Sequence, residues 1–285
     1  MTLAVVGGDR REQEICRLAC RAGAIVRVYG MPWPAAGLEG VARCNTLEEA
    51  LADAELCLLP LPLPGTDGAL YAPAAAAPIR LQAAHFARLR RSARIIAGSV
   101  NQEIIAAAAE AVIPIHTYGG DLEGRRERAV AIAEGAIARV IATTDRTIRG
   151  ARVAVLGNGI VGQAVGEIFR SLGAETRLFA RSPRQPGESP IASLVKWAPA
   201  LDILLSTIPA AVLESEFFRI LPPHALVVDL AAPAGIAPAA ESAGAPTLRA
   251  LGLGDCAPVT VGGIQWRQIL ALVSDTSKTR HASSP

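Results

Sequence analysis

Gly157-Asn158-Gly159-Ile160-Val161-Gly162 carries the pattern GxGxxG, whose chemistry is the binding of a dinucleotide. Gly157 permits a tight turn, Gly159 lets the backbone approach a pyrophosphate, and Gly162 lets a helix pack closely on a strand. Glycine-rich turns are common, so the flanks decide. Val153-Ala154-Val155-Leu156, just before, has the apolar run of a buried parallel strand. Just after, Val165, Ile168, Phe169 and Leu172 recur at helical spacing, and Gly173 ends the helix. Thr176 to Ala180 supplies a second strand. Ala151 to Ser182 thus reads as a β-α-β unit of about 30 residues, with a helix N-terminus turned to phosphates.

The end of that second strand selects the nucleotide. NAD-binding units usually place an Asp or Glu there for the ribose hydroxyls. Here the residues are Ala180-Arg181-Ser182, with Arg184 close behind. A carboxylate would repel a 2′-phosphate, whereas a guanidinium binds it through two parallel hydrogen bonds. The expected cofactor is therefore NADP. Its contacts are expected from Gly157, Asn158, Gly159, Ile160, Val161, Gly162, Arg181 and Ser182. Two further strand ends join them, Thr207-Ile208-Pro209 and Asp229-Leu230-Ala231.

A chain of 285 residues can supply two domains to hold such groups. Its composition, 51% hydrophobic with 4% aromatic and 19% charged residues, suits α/β packing built on Ala, Val, Ile and Leu. A net charge of +2 gives no extended footprint for nucleic acid. The five cysteines are scattered, and Cys16 and Cys20 lack a second pair at zinc-ligand spacing. No metal is expected, and the thiols read as buried in a reducing cytoplasm. Met1 leads into a strand rather than a signal peptide. No apolar run reaches the ~18 residues of a membrane span. The expectation is a soluble, cytoplasmic protein.

The first half repeats the alternation of strand and helix. Leu3-Ala4-Val5-Val6 is a buried strand, followed by Gly7-Gly8-Asp9-Arg10. Asp9 suits the N-cap of the helix that follows, and the turn serves either its own geometry or a cleft reached by Asp9 and Arg10. Strands are expected at 24–29, 54–59, 93–97 and 112–116. The alternating prolines of Pro60-Leu61-Pro62-Leu63-Pro64 cannot continue a central strand, so an extended loop leaves its carboxyl end. Ligands of open α/β sheets bind outside such ends. Thr66, Asp67 and Ser99 are thus expected at substrate, with Ser99 also a candidate helix cap, and Thr260 from a later glycine-rich segment. His116 or Tyr118, or Glu134 from the long helix 123–144, could act as a base. Gly135 inside that helix costs ~1 kcal/mol and calls for a close contact or a kink.

The expected fold is α/β, with two doubly wound parallel-sheet domains joined by a long helix. Residues 1–122 form a flavodoxin-like substrate domain, with a C-terminal helix at 263–276 packing back on it. Residues 123–148 form the connecting helix, and 149–262 the Rossmann domain.

Taken in order, several stretches resemble the A subunit of bacterial dipicolinate synthase along nearly the whole chain. They are Gly7-Gly8-Asp9-Arg10, the LPLP loop ending in Asp67-Gly68, and Ala133-Glu134-Gly135-Ala136. The GxGxxG unit, Val228-Asp229-Leu230-Ala231 and Ala257-Pro258-Val259-Thr260 complete the set. The resemblance implies an NADP-dependent spore-formation enzyme. It would oxidise a dihydrodipicolinate or 4-hydroxy-tetrahydrodipicolinate type of dicarboxylate to pyridine-2,6-dicarboxylate. It also implies a separate flavoprotein-like B subunit, and leaves a homodimer open. Two departures stand out. Ala131-Ile132 occupies the place of Pro-Thr, and Leu253 the place of a Pro before Gly254. The rival readings are an NADP-dependent 2-hydroxy-acid dehydrogenase and a non-catalytic NADP-binding regulatory subunit.

Overall fold

The computed structural model describes residues 1–62, 64–65 and 67–281, with side chains as far as Ser274. The chain runs through β1 (Thr2–Val6), α1 (Arg10–Arg21), β2 (Ile25–Tyr29), β3 (Val41–Arg43), α2 (Leu47–Leu51) and β4 (Leu56–Leu59). Next come α3 (Ala83–Phe86), β5 (Arg94–Ala97), α4 (Gln102–Glu110), β6 (Ile115–Thr117) and the long α5 (Leu122–Thr143). The second half holds β7 (Arg152–Leu156), α6 (Ile160–Ser171), β8 (Glu175–Ala180), β9 (Glu188–Pro190) and β10 (Ile203–Ser206). It closes with α7 (Ser215–Phe218), β11 (Leu226–Asp229), α8 (Ala237–Ser242), β12 (Thr247–Arg249) and α9 (Pro258–His281). Two compact units result, Met1–Arg125 with Ala257–Pro285, and Arg126–Cys256.

Each unit is built on a six-stranded parallel sheet, ordered β3-β2-β1-β4-β5-β6 in the first and β12-β11-β10-β7-β8-β9 in the second. In both, the order reverses between the unit's first and fourth strands. That reversal opens a crevice at their carboxyl ends, where ligands of such sheets bind. Gly157 leaves β7 there and Thr207 leaves β10. The five strands read for residues 1–122 lie in the flavodoxin order, but the sheet has a sixth. The three-residue β3 pairs outside β2, from Val26↔Val41 to Val28↔Arg43.

Apolar residues fill both faces of each sheet, as parallel sheets require. In the first unit Leu51, Phe86 and Ile104 pack on one face, while Ile15 and Cys16 of α1 join Trp266 and Ile269 of α9 on the other. In the second, Ala136 and Val140 of α5 pack with Val165 and Phe169 of α6, and Leu194, Phe218 and Ile236 cover the opposite face. Residues 191–196 form a 3-10 helix rather than an α-helix.

The last helix starts at Pro258, not at Ile264. Gly262 lies inside it because a Cβ there would come within 2.7 Å of the Arg11 carbonyl oxygen and of Glu14 Cβ, so glycine lets α9 lie directly on α1. The helix continues to His281, and residues 282–285 lie outside the described residues. Gly135 in α5 has the same kind of cause. A Cβ would meet the Leu253 carbonyl oxygen at 2.8 Å and Cys256 Sγ at 3.1 Å, and the Cys256 thiol donates to the Ala131 carbonyl at 3.0 Å.

Candidate functional site

At the switch point of the second sheet, Gly157 takes φ 103°, a left-handed conformation that side chains disfavour. A Cβ on Gly157 would run into Thr207 Oγ1, and one on Gly162 into the Gly157 carbonyl. Gly159 differs: its Cβ would meet nothing within 4 Å. It is the N-cap of α6 without any side-chain capping bond, so the first-turn N–H groups face open space. A groove of about 750 Å³ opens beside this turn, within the usual range for a small-molecule site. Gly157, Asn158, Gly159, Arg181, Ser182, Thr207, Ile208 and Pro209 all line it, and Arg184 adds a second guanidinium. Ile160, Val161 and Gly162 form the first turn of α6 and are not among the groove's lining residues; Ile160 lines a neighbouring cavity with Asn158 and Gly159. These residues fit a dinucleotide: a glycine cradle for its pyrophosphate, cations at one end, and an apolar wall at Ile208 and Pro209.

Asp229 corrects the expectation of a cofactor contact. Its side chain is wholly buried, and Oδ2 accepts the N–H groups of Gly235, Ile236 and Ala237 at 2.8–2.9 Å. Oδ1 accepts the Ala231 N–H at 3.0 Å and pairs with Arg249 Nη1 at 3.0 Å. Every strong acceptor site is taken. Asp229 therefore folds the 230–237 loop, and Gly235 packs that loop against the Ile208 carbonyl in the groove wall. Leu230 is half-buried and Ala231 buried within that loop.

In the first unit Asp9 caps α1 as expected, but it reaches no cleft. It is 3% exposed, and its carboxylate holds the Arg11 guanidinium at 2.8 and 2.7 Å. Burial works against the Asp9 charge, yet the Arg11 contacts outweigh it and hold the carboxyl below its ordinary value. Glu12, one turn into the helix, accepts the Asp9 N–H at 2.8 Å through Oε2, while Oε1 has no hydrogen-bond partner. Burial first, then the nearby Asp9 charge, push Glu12 up from 4.5 to about 7 against the pull of Arg11. Because the folded value lies above the unfolded one, the fold favours protonated Glu12. This contribution is complete below about 4.5 and is lost as pH rises through about 7. Glu12→Gln keeps an oxygen for the Asp9 N–H and cannot ionise. Its stability relative to the parent should rise between pH 5 and 8 by on the order of 3 kcal/mol. Urea titrations of both proteins at several pH values measure this, and parallel pH profiles would refute it.

The remaining candidates are divided between the two units. Thr66 lies outside the described residues. Asp67 is exposed, and its carboxylate bonds Arg80 Nη2 at 2.6 Å and the Ala69 N–H at 3.2 Å, so it shapes its own loop. Ser99 is half-buried, and the cap of α4 is Asn101, whose Oδ1 accepts the Ile104 N–H at 3.0 Å. A Cβ at Gly98 would collide with the Leu61 backbone, which brings the β4 and β5 loops side by side. His116 is half-buried in β6, in register with Ile96. Tyr118, expected as a base, instead has its ring 4% exposed in the core with Ile15 and Trp266, because alternation along the strand turns it to the α1–α9 face. Glu134 is exposed on α5 in the second unit, and Thr260 is exposed in the first turn of α9.

The cysteines are all free thiols; Cys16 and Cys57 are buried as expected, but Cys256 is exposed. Among the described residues no group of three His, Cys, Asp or Glu could hold a metal, and no helix is long and apolar enough to cross a membrane. Sequence reasoning missed Arg11, Arg249 and Glu188, each of which acts through a partner brought in by the fold.

Residues 2–118 match the family model for the N-terminal domain of the dipicolinate synthase A subunit. The chain is 28% identical over 275 residues to the A subunit of dipicolinate synthase from Bacillus subtilis (strain 168), covering 93% of each protein. The crystal structure of the same subunit from Bacillus halodurans superposes with a TM-score of 0.82 at 26% identity, over 95% of this chain and 97% of that one. The corresponding Bacillus subtilis structure gives 0.77 at 27% identity, over 98% and 97%.

Proposed function

From a chain whose residues 2–118 match the family model of dipicolinate synthase A-subunit N-terminal domains, and which is similar to that subunit over 93% of its length, we propose an NADP-dependent dehydrogenase. It oxidises a dihydrodipicolinate or 4-hydroxy-tetrahydrodipicolinate type of dicarboxylate to the aromatic pyridine-2,6-dicarboxylate, in the cytoplasm and alongside a B subunit. The observation that carries the proposal is the groove at the carboxyl ends of β7 and β10. Its described lining has two guanidiniums and no carboxylate.

When bound, the nicotinamide supplies a hydride acceptor. The protein's own part is to bind and to orient. Gly159 and the first N–H groups of α6 receive the pyrophosphate, and Arg181, Ser182 and Arg184 receive the 2′-phosphate. Thr207, Ile208 and Pro209 form the wall along which the rest of the cofactor lies. A dihydrodipicolinate ring becomes aromatic by losing two hydrogens, one as hydride and one as a proton, and the 4-hydroxy-tetrahydro form must also lose water. Positioning and removal of one proton are thus the main demands on the chain. Ser99 and Thr260 are hydroxyl donors for the substrate carboxylates, and Glu134 and His116 remain the candidates for the proton acceptor.

A 2-hydroxy-acid dehydrogenase would need a His–carboxylate pair beside the nicotinamide. The pair His224–Asp202, at 3.0 Å, stands at the opposite, amino end of the second sheet, where Asp202 also accepts the Arg152 N–H. Nicotinamide absorbance on freshly generated 4-hydroxy-tetrahydrodipicolinate tests the proposal, with the chain alone and with a candidate B subunit. NADPH formation, in either arm, is the expected result. Silence in both arms despite tight NADP binding would overturn the substrate assignment and favour a regulatory role.

A further inference from the structure

Beside the glycine-rich turn, Glu188 on the edge strand β9 ties three separate segments together. Its Oε1 accepts Gln163 Nε2 from α6 at 2.7 Å. Its Oε2 accepts Asn158 Nδ2 from the turn at 2.8 Å and the Arg184 N–H at 2.7 Å. Asn158 Nδ2 also donates to the Ser182 carbonyl at 3.1 Å. The segment from Arg181 to Glu188, exposed except at Glu188 itself, is therefore pinned at Ser182, Arg184 and Glu188.

We propose that Glu188 is the positioning residue that gives this site its selectivity for a 2′-phosphate. It does so by fixing the Arg181–Arg184 segment at the turn before the cofactor arrives. The inference rests on the NADP assignment made above. An acid close to this turn would ordinarily signal the ribose diol of NAD, but Glu188 is spent on three donors. It lines a second cavity of about 420 Å³, with Gln163, Ala129 and Arg126, rather than the groove. Although burial acts to raise it, the bonds from Arg184, Asn158 and Gln163 keep the carboxyl below its ordinary value, as expected of a committed acceptor. A segment ordered in advance spares the ligand the cost of ordering it. Because that segment carries the guanidiniums, the saving falls on NADP rather than NAD.

The test uses calorimetric titration of the full chain with NADP⁺ and with NAD⁺. Glu188→Ala removes the acceptor of all three donors. The preference for NADP⁺ over NAD⁺ should fall about tenfold, the worth of a charge-assisted hydrogen bond. Glu188→Gln is the conservative counterpart: its oxygen still accepts from Asn158 and Arg184, and the Gln163 amide can turn so that its own oxygen accepts the new NH₂. This variant should keep most of the preference. An unchanged preference in E188A, or an equal loss for both nucleotides, would overturn the role of Glu188 and leave the NADP assignment standing. A parent protein that does not prefer NADP⁺ would overturn that assignment, and this inference with it.

Discussion

Gly162→Ala is expected to lose about 2 kcal/mol of stability and with it the binding of any dinucleotide. The added methyl would come closer than 3.0 Å to the Gly157 carbonyl oxygen and carbon, nearer than real Cβ atoms come. Those are backbone atoms of the turn and have no flexible end to move. Helix α6 must instead withdraw from β7, taking with it Val165 and Phe169, both fully buried. Overpacking of this kind costs roughly 1–3 kcal/mol, and the better helix propensity of Ala recovers only ~1 kcal/mol. Gly159→Ala is the matched control. Its Cβ meets nothing within 4 Å and its φ of −75° suits any residue, so melting should stay close to that of the parent. The methyl would, however, stand in the space assigned to the pyrophosphate, and dinucleotide affinity should fall at least about tenfold, or 1.4 kcal/mol. Thermal melts and titrations of the two variants separate packing from binding. Full affinity in Gly159→Ala would mean that this turn is not the phosphate seat.

Asp229→Asn should be at least as damaging, although it changes a single atom. Three N–H groups converge on Oδ2, and the Ala231 N–H and Arg249 converge on Oδ1. An amide must set its NH₂ against one group of donors or the other. At least two donors then lose their acceptor at about 1–3 kcal/mol each, for a total of roughly 2–6 kcal/mol. The released loop packs on the Ile208 carbonyl through Gly235, so cofactor affinity should weaken along with stability. Denaturant unfolding reads the first effect and nucleotide titration the second. A variant with the parent's unfolding midpoint would show that Asp229 does not hold this loop.

Much of the fold was legible in residues close together along the chain. Apolar runs of four or five, apolar residues at helical spacing, and glycines at strand ends are local signals, because strand, turn and helix depend on neighbours a few residues away. The β7–turn–α6–β8 unit, the long α5 and the groove lined by Gly157, Gly159, Arg181 and Thr207 follow from them. The edge strands β3 and β9 were not legible. β3 and β9 are three residues each, too short to show a period, and exist because β2 and β8 offer them an open edge.

The direction and employment of individual side chains emerged only on folding. Asp229 stands at the carboxyl end of a strand, where a cofactor contact is expected, but Arg249 and four N–H groups claim it. Tyr118 follows a strand end, yet the strand's alternation carries its ring into the core. Glu188 meets Asn158 from 30 residues away. Spacing along the chain was enough to reveal a dinucleotide-type turn and the glycines and arginines around it. Which polar groups remain free for chemistry was a matter for the folded molecule. A carboxylate's lone pairs go to whichever donors packing brings within about 3 Å, and some of those donors, such as Arg249 for Asp229 and Asn158 for Glu188, lie 20 and 30 residues away.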